Sequence, residues 1–179
     1  MRHFALSAVG RDRPGIVAAL TRVLLDHAVN IEDSQATILR GHFTMMLIVA
    51  APDEVDDDRL RADLDAAASE LGLEALSLRA VDEVDLSAPQ PSHMVAVYGL
   101  DHPGIVHGAT RVLAERGIDI TDLNTRLVRN GPERPLYALM MEVALPAGES
   151  VDELRGALAA IAEREGVEVS LRELEQDAL

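Results

Sequence analysis

What most constrains this chain is that it is written twice. GRDRPGIVAALTRVLLDHAVNIED at 10–33 aligns without a gap to GLDHPGIVHGATRVLAERGIDITD at 99–122, an offset of 89. Twelve of those 24 positions are identical, among them Gly10/Gly99, Asp12/Asp101, Pro14/Pro103, Gly15/Gly104 and Asp33/Asp122. The match resumes with HFTMMLIVAAP at 42–52 against LYALMMEVALP at 136–146, an offset of 94. The five additional residues of the second copy fall around Arg129–Pro135. One fold therefore has to be built twice, each time from about half of the 179 residues. The net charge of −15 divides in the same way, −8 over residues 1–89 and −7 over 90–179.

Each copy alternates between two periodicities. His3–Val9 places Phe4, Leu6 and Ala8 on one side, as a half-buried strand does. Pro14 suits a first helical turn, and Ile16, Val17, Leu20, Val23 and Leu24 follow at helical spacing. Asn30 is expected to stop that helix. Ile31–Leu39 and His42–Ala51 then read as strands joined by a tight turn at Arg40–Gly41. After Pro52 and an acidic run, Leu60, Leu64, Ala67, Ala68 and Leu71 mark a second helix; Gly72 ends it, and Leu73–Val81 is the last strand.

The second copy repeats the order. His93–Tyr98 is a strand, Pro103–Arg116 a helix, Asp119–Val128 and Leu136–Leu145 a longer-looped hairpin, Val151–Glu165 a helix and Val167–Leu174 a strand. The boundaries follow: a first domain at 1–82, a linker at 83–92 with two prolines, and a second domain at 93–179. A βαββαβ order predicts the α+β class: two ferredoxin-like units, each a four-stranded antiparallel sheet with both helices on one face. Apolar residues on both sides of Met45-Met46-Leu47-Ile48-Val49 predict that the second sheet face is covered as well, by a partner subunit or the sister copy.

Composition removes whole classes of chemistry. All 16 basic residues are Arg, and Lys, Cys and Trp are absent. Schiff-base catalysis, thiolate nucleophiles, disulfides and Cys-ligated metals are therefore excluded. No triad, G-x-S-x-G, G-x-G-x-x-G or Walker pattern occurs. With 48% apolar residues and four aromatics (Phe4, Phe43, Tyr98, Tyr137), the cores must be aliphatic. The opening MRHFALSAV is too short for a signal peptide, and no apolar stretch approaches the ~20 residues of a membrane span, so a cytoplasmic location is expected. The acidic balance argues against nucleic-acid binding.

The most repeated local feature is D-x-P-G-I-V after the first strand: Asp12-Arg13-Pro14-Gly15-Ile16-Val17 and Asp101-His102-Pro103-Gly104-Ile105-Val106. A strand here runs into a helix whose first N–H groups have no intrahelical partner and carry the positive end of the dipole. Glycine lets a ligand come close to that backbone, where a carboxylate or other small anion sits well. Eighteen residues past each Asp, at the opening of the second strand, stand Asn30 and Asp119. Asn offers a donor and an acceptor; Asp only accepts.

A strand, D-x-P-G-I, a helix and N-I within a βαββαβ unit resembles the ACT domain, a small regulatory fold that binds amino acids. The resemblance covers essentially the whole chain. GRDRPGIVAALTR…NIEDSQATILRGHFTMML is similar in particular to the glycine cleavage repressors, stand-alone pairs of ACT domains that act through a partner transcription factor. The resemblance implies ligand contacts from Asp12, Arg13, Gly15, Ile16 and Asn30, and in the second copy from Asp101, His102, Gly104, Ile105 and Asp119. It implies a small amino acid such as glycine or serine as ligand, control of a protein partner in transcription regulation, a homodimer, and no cofactor. Because Asp119 replaces Asn and His102 replaces Arg, the two sites are expected to be unequal, copy one being the better.

Other readings compete. The repeated turn also serves as a plain strand–helix corner, and the chain would then be a ligand-free module that pairs subunits through its sheets. An enzyme on this frame needs a catalytic cluster that the sequence does not display. His102 and His107 are five apart and share no helical face, so no metal site is expected. Met45-Met46 and Met140-Met141 read as strand packing, and the acidic runs at 53–58 and 149–153 as favourable charge ahead of a helix.

Overall fold

Hydrophobic alternation and helical spacing resolve into twelve elements among the described residues, which are 1–81, 89–128 and 135–175 of a computed structural model. The first unit contains β1 (Arg2–Arg11), α1 (Ile16–Asp26), β2 (Asn30–Leu39), β3 (His42–Ala51), α2 (Asp57–Leu71) and β4 (Leu73–Val81). The second contains β5 (His93–Leu100), α3 (Ile105–Glu115), β6 (Asp119–Val128), β7 (Leu136–Ala144), α4 (Val151–Glu165) and β8 (Val167–Glu173). The chain divides into two compact units, Met1–Leu86 and Ser87–Leu179. Most of the expected linker, and residues 129–134 of the additional loop, lie outside the described residues.

Each unit is a four-stranded antiparallel sheet in the order β2-β3-β1-β4 or β6-β7-β5-β8, with its two helices packed together. The order follows from chain economy. A strand–helix–strand crossover cannot pair its own strands as a hairpin, so β2 lands one place away and β3 fills the gap. The expected ferredoxin-like class is what forms. In the first unit Phe4, Leu6, Phe43, Leu47 and Val49 of the sheet meet Ile16, Leu20, Leu24, Leu60 and Leu64 of the helices. In the second, Val95, Val97, Leu139, Met141 and Val143 meet Ile105, Leu113, Leu154 and Leu158. Burying one such aliphatic side chain contributes ~1.5–3 kcal/mol, and the first core also buries Phe4 and Phe43.

Two expectations require correction. Pro14 and Pro103 are not in the helices, which begin at Ile16 and Ile105 after Gly15 and Gly104 at φ 98° and 113°. That left-handed backbone turns the chain out of the strand before the helix can start, and only glycine adopts it freely. Asn30 does not stop α1 either. The helix ends at Asp26, where Ala28 (φ 54°) takes the left-handed conformation and Val29 N–H reaches Leu24 O at 2.9 Å. Asn30 opens β2 instead. Within each unit the outer sheet face carries exposed apolar side chains, Met46 (53%) and Val9 in the first and Tyr98, Leu100 and Leu136 in the second.

The hairpin at Arg40–Gly41 forms as expected. Both residues have positive φ (51° and 84°) and Leu39 pairs with His42, the geometry whose twist suits a two-residue loop. The long helices are capped by side chains: Asp56 accepts from the N–H groups of Asp58 and Arg59, and Ser150 from Glu153. Gly72 and Gly166 end them in the left-handed conformation.

Candidate ligand-binding turns

The repeated turn is held at matched points in both units. In the first, Asp12 N–H donates to Gly41 O of the hairpin (2.9 Å), and Arg13 Nη1 donates to Leu71 O at the end of α2 (3.0 Å). In the second, Asp101 N–H donates to Pro135 O (3.0 Å), and His102 Nε2 lies 2.8 Å from Glu165 O at the end of α4. The hairpin and the second helix thus fix the position of the turn from either side. Sequence reasoning identified the turn but missed these anchors, because backbone carbonyls from distant segments leave no signature in the sequence.

Between its anchors each turn presents an uncapped helix start. Neither α1 nor α3 has a side-chain cap or an acidic residue in its first turn, unlike α2 and α4. The first intrahelical bonds run from Ala19 to Gly15 and from Gly108 to Gly104. The N–H groups of Ile16, Val17 and Ala18, and of Ile105, Val106 and His107, have no intrahelical acceptor. A Cβ at Gly15 would meet nothing within 4 Å, so the approach to that backbone is open. Along the second turn runs a cleft of about 660 Å³, lined by Asp101 through His107 and by Tyr137. Tyr137 joins the site only in three dimensions, through β7, whereas His107 follows the turn directly in the first turn of α3.

The ten expected contact residues do not all meet. Asp12, Arg13 and Gly15 are exposed together at one turn, and Asp101, His102 and Gly104 line the other. Ile16 and Ile105 are each 2% exposed and belong to the cores, so their part in any contact is confined to backbone N–H groups. Asn30 and Asp119 lie elsewhere. Asn30 pairs with Ala50, which pairs with His3 at the opening of β1, whereas the turn follows Arg11 at its close. Eight residues of extended strand separate those ends, roughly 26 Å. The same holds for Asp119, paired with Ala144 at the far end from Leu100. Within one unit, turn and strand opening sit at opposite ends of the sheet.

His102 has a raised pKa. Its ring is hydrogen bonded to the backbone oxygens of Pro103 (3.0 Å, from Nδ1) and Glu165, which favour the charged form; the carboxylates of Glu165 and Asp101 add to this, against partial desolvation.

Comparison with known proteins agrees with this fold. The ACT-domain family model matches residues 2–76. A UPF0237 protein of Methanopyrus kandleri is 39% identical over 77 residues, 42% of this chain and 86% of that protein. The chain belongs to the ACT-domain family. The duplication makes it a tandem ACT protein, since the second unit repeats the same element order and sheet topology. Over both ACT units it is 29% identical to the phosphoserine phosphatase SerB2 of Mycobacterium tuberculosis, across 94% of this chain but only 40% of the phosphatase. The chain therefore spans about two fifths of that relative's length. A crystal structure of a protein of unknown function from Galdieria sulphuraria superposes with a TM-score of 0.81 at 29% identity, covering 97% of this chain and 98% of that one. A protein provisionally named as a glycine cleavage system transcriptional repressor shares the fold at a TM-score of 0.73 and 21% identity, covering 97% of both chains. Among the described residues no helix is long and apolar enough to cross a membrane.

Proposed function

We propose that this ACT-domain regulatory protein senses a small amino acid, glycine or serine, and passes the signal to a protein partner in transcriptional control, without catalysis of its own. The observation that carries this reading is the pair of matched turns, each pinned by two distant carbonyls and each leaving the N–H groups of an uncapped helix start available to a carboxylate. Asn30 adds a donor and an acceptor suited to an ammonium–carboxylate ligand. Because the turn and the strand opening of one unit are roughly 26 Å apart, a ligand that uses both draws the strand opening from a second ACT unit. Such a ligand favours one arrangement of units over another by the difference in its affinity for them.

The sites are unequal in this reading. Asn30 makes the first copy's strand opening the better partner for a ligand carboxylate, and Asp119 repels one. Domain boundaries at 82/83 and 92/93, homodimerisation and a cytoplasmic location complete the proposal.

Thermal melting against each of the twenty amino acids tests it, because a ligand that binds only the folded form raises the midpoint. One small group of amino acids should do so at millimolar concentration. If none does, the ligand-free pairing module becomes the function. Titration calorimetry on Asn30→Ala and Asp119→Ala then checks the inequality: Asn30→Ala should lose more binding, and equal losses would refute it.

A further inference from the structure

The two turns are fastened by different basic side chains at one matched position. Arg13 and His102 correspond through the offset of 89, and Leu71 and Glu165 through that of 94. Each side chain reaches the last carbonyl of the second helix, just ahead of Gly72 or Gly166. Helix C-termini expose unpaired carbonyls and the negative end of the dipole, so a cation fits there. The guanidinium of Arg13 keeps its charge at any pH compatible with the fold. The imidazole of His102 does not.

The surroundings of His102 set a stricter condition. Both ring nitrogens face backbone oxygens, Nδ1 at 3.0 Å from Pro103 O and Nε2 at 2.8 Å from Glu165 O. A neutral imidazole carries one N–H and one lone pair, so it satisfies only one of two acceptors and sets its lone pair against the other. The imidazolium satisfies both. Charged and titratable groups face this ring from several elements. Asp101 lies on its own turn; His107 and Tyr137 line the same cleft from α3 and β7. From α4 comes the Glu165 carboxylate, itself held by Arg164 Nε at 2.8 Å. The carboxylates of Asp101 and Glu165 favour the imidazolium.

We propose that His102 is a proton-operated latch: as imidazolium it bonds both backbone oxygens and ties the β5–α3 turn to the end of α4, and on deprotonation one of the two bonds is lost and that tie loosens, whereas Arg13 holds the first turn at every physiological pH. The chain then carries one pH-independent turn and one pH-dependent turn. The sign follows from linkage. The folded pKa is raised above the ordinary value near 6.5, so the latch is fully formed below about 6.5 and is lost as pH rises through the raised folded value. That ligand binding at the second turn weakens over the same window rests on the reading of the turn as an amino-acid site; the latch itself does not.

The experiment is an NMR titration of the full chain without ligand. His102 is assigned by its absence from the spectrum of His102→Gln, and its midpoint is compared with histidine in the urea-unfolded chain. Amide exchange is followed at Asp101 and Gly108 relative to Asp12 and Ala19, whose bonds are matched, so that base catalysis cancels in the ratio. The His102 midpoint should lie above the unfolded reference, and the exchange ratio should rise several-fold as pH passes through it. His102→Arg should make the ratio flat, His102→Gln should hold it at its high-pH value, and Arg13→His should give the first turn a pH dependence of its own. A His102 midpoint at or below the unfolded reference, or a flat ratio in the unaltered chain, overturns the latch. A chain that no amino acid stabilises, yet whose ratio rises, refutes the ligand reading and keeps the latch.

Discussion

Gly99 is identical to Gly10 across the duplication, and the structure gives the reason in atoms. It pairs with Val167 between β5 and β8, and a Cβ at Gly99 would stand 2.6 Å from Val167 Cγ1, 3.1 Å from its Cβ and 3.2 Å from its Cα. Rotation of the valine relieves the first contact but not the other two, which belong to the strand itself. Gly99 has no left-handed backbone, so the destabilising part of Gly99→Ala is steric, and it outweighs the small gain from a less free unfolded chain. Overpacking of this kind costs ~1–3 kcal/mol. In a unit of this size each kcal/mol moves the midpoint by about 4–8 °C, so a fall of roughly 4–24 °C is expected. The assay is tyrosine fluorescence during thermal unfolding. Tyr98 and Tyr137 are the chain's two tyrosines, both lie in the second unit, and there is no Trp. Gly156→Ala supplies the opposite sign in the same unit. Gly156 lies inside α4 and a Cβ there meets nothing within 4 Å, so alanine should stabilise by ~0.5–1 kcal/mol. A Gly99→Ala midpoint within about 2 °C of the unaltered chain, or shifts of the same sign in both variants, would refute the steric reasoning.

Three further outcomes concern the first unit. Ala28→Gly, which installs the residue found at the matched Gly117, should raise stability by about 0.5 kcal/mol, the relief of left-handed strain less the added freedom of the unfolded chain; urea unfolding by circular dichroism measures it. Leu64→Ala, at a fully buried position between α2 and the sheet, should cost ~2–5 kcal/mol in the same assay. Asp56→Ala removes the acceptor for two N–H groups of α2 and should cost ~1 kcal/mol, with faster amide exchange at Asp58 and Arg59.

The sequence revealed most where the physics is local and repeated. Alternation and helical spacing are properties of neighbouring residues, and the duplication offered each pattern twice, so the ends of β4, β6 and α4 fall where the sequence placed them. Boundaries shifted where one residue's backbone angle decided the outcome. Pro14 and Asn30 carry strong general preferences, yet Gly15 and Ala28 hold the positive φ values at which the chain turns. Residue types in the turn were legible because uncapped helix starts and glycines leave a pattern. The opposite ends occupied by the turn and by Asn30 were not, because that separation depends on strand direction and on the register between β1, β3 and β2.

By itself, then, the sequence determined that this protein is one βαββαβ unit made twice, largely aliphatic in its cores and without lysine or cysteine chemistry, with a D-x-P-G turn in each copy. Those follow from composition and from forces between residues close in the chain. Only the tertiary structure decided that Arg13 and His102 reach the last carbonyls of the second helices, 58 and 63 residues away in sequence. It alone brought Tyr137 to the second turn. Such contacts arise where the turn ahead of one helix meets the end of another, and no local pattern encodes which side chain then meets which carbonyl. A substitution that reads as Arg for His between two repeats becomes, in the folded chain, the difference between a permanent fastening and one that depends on a proton.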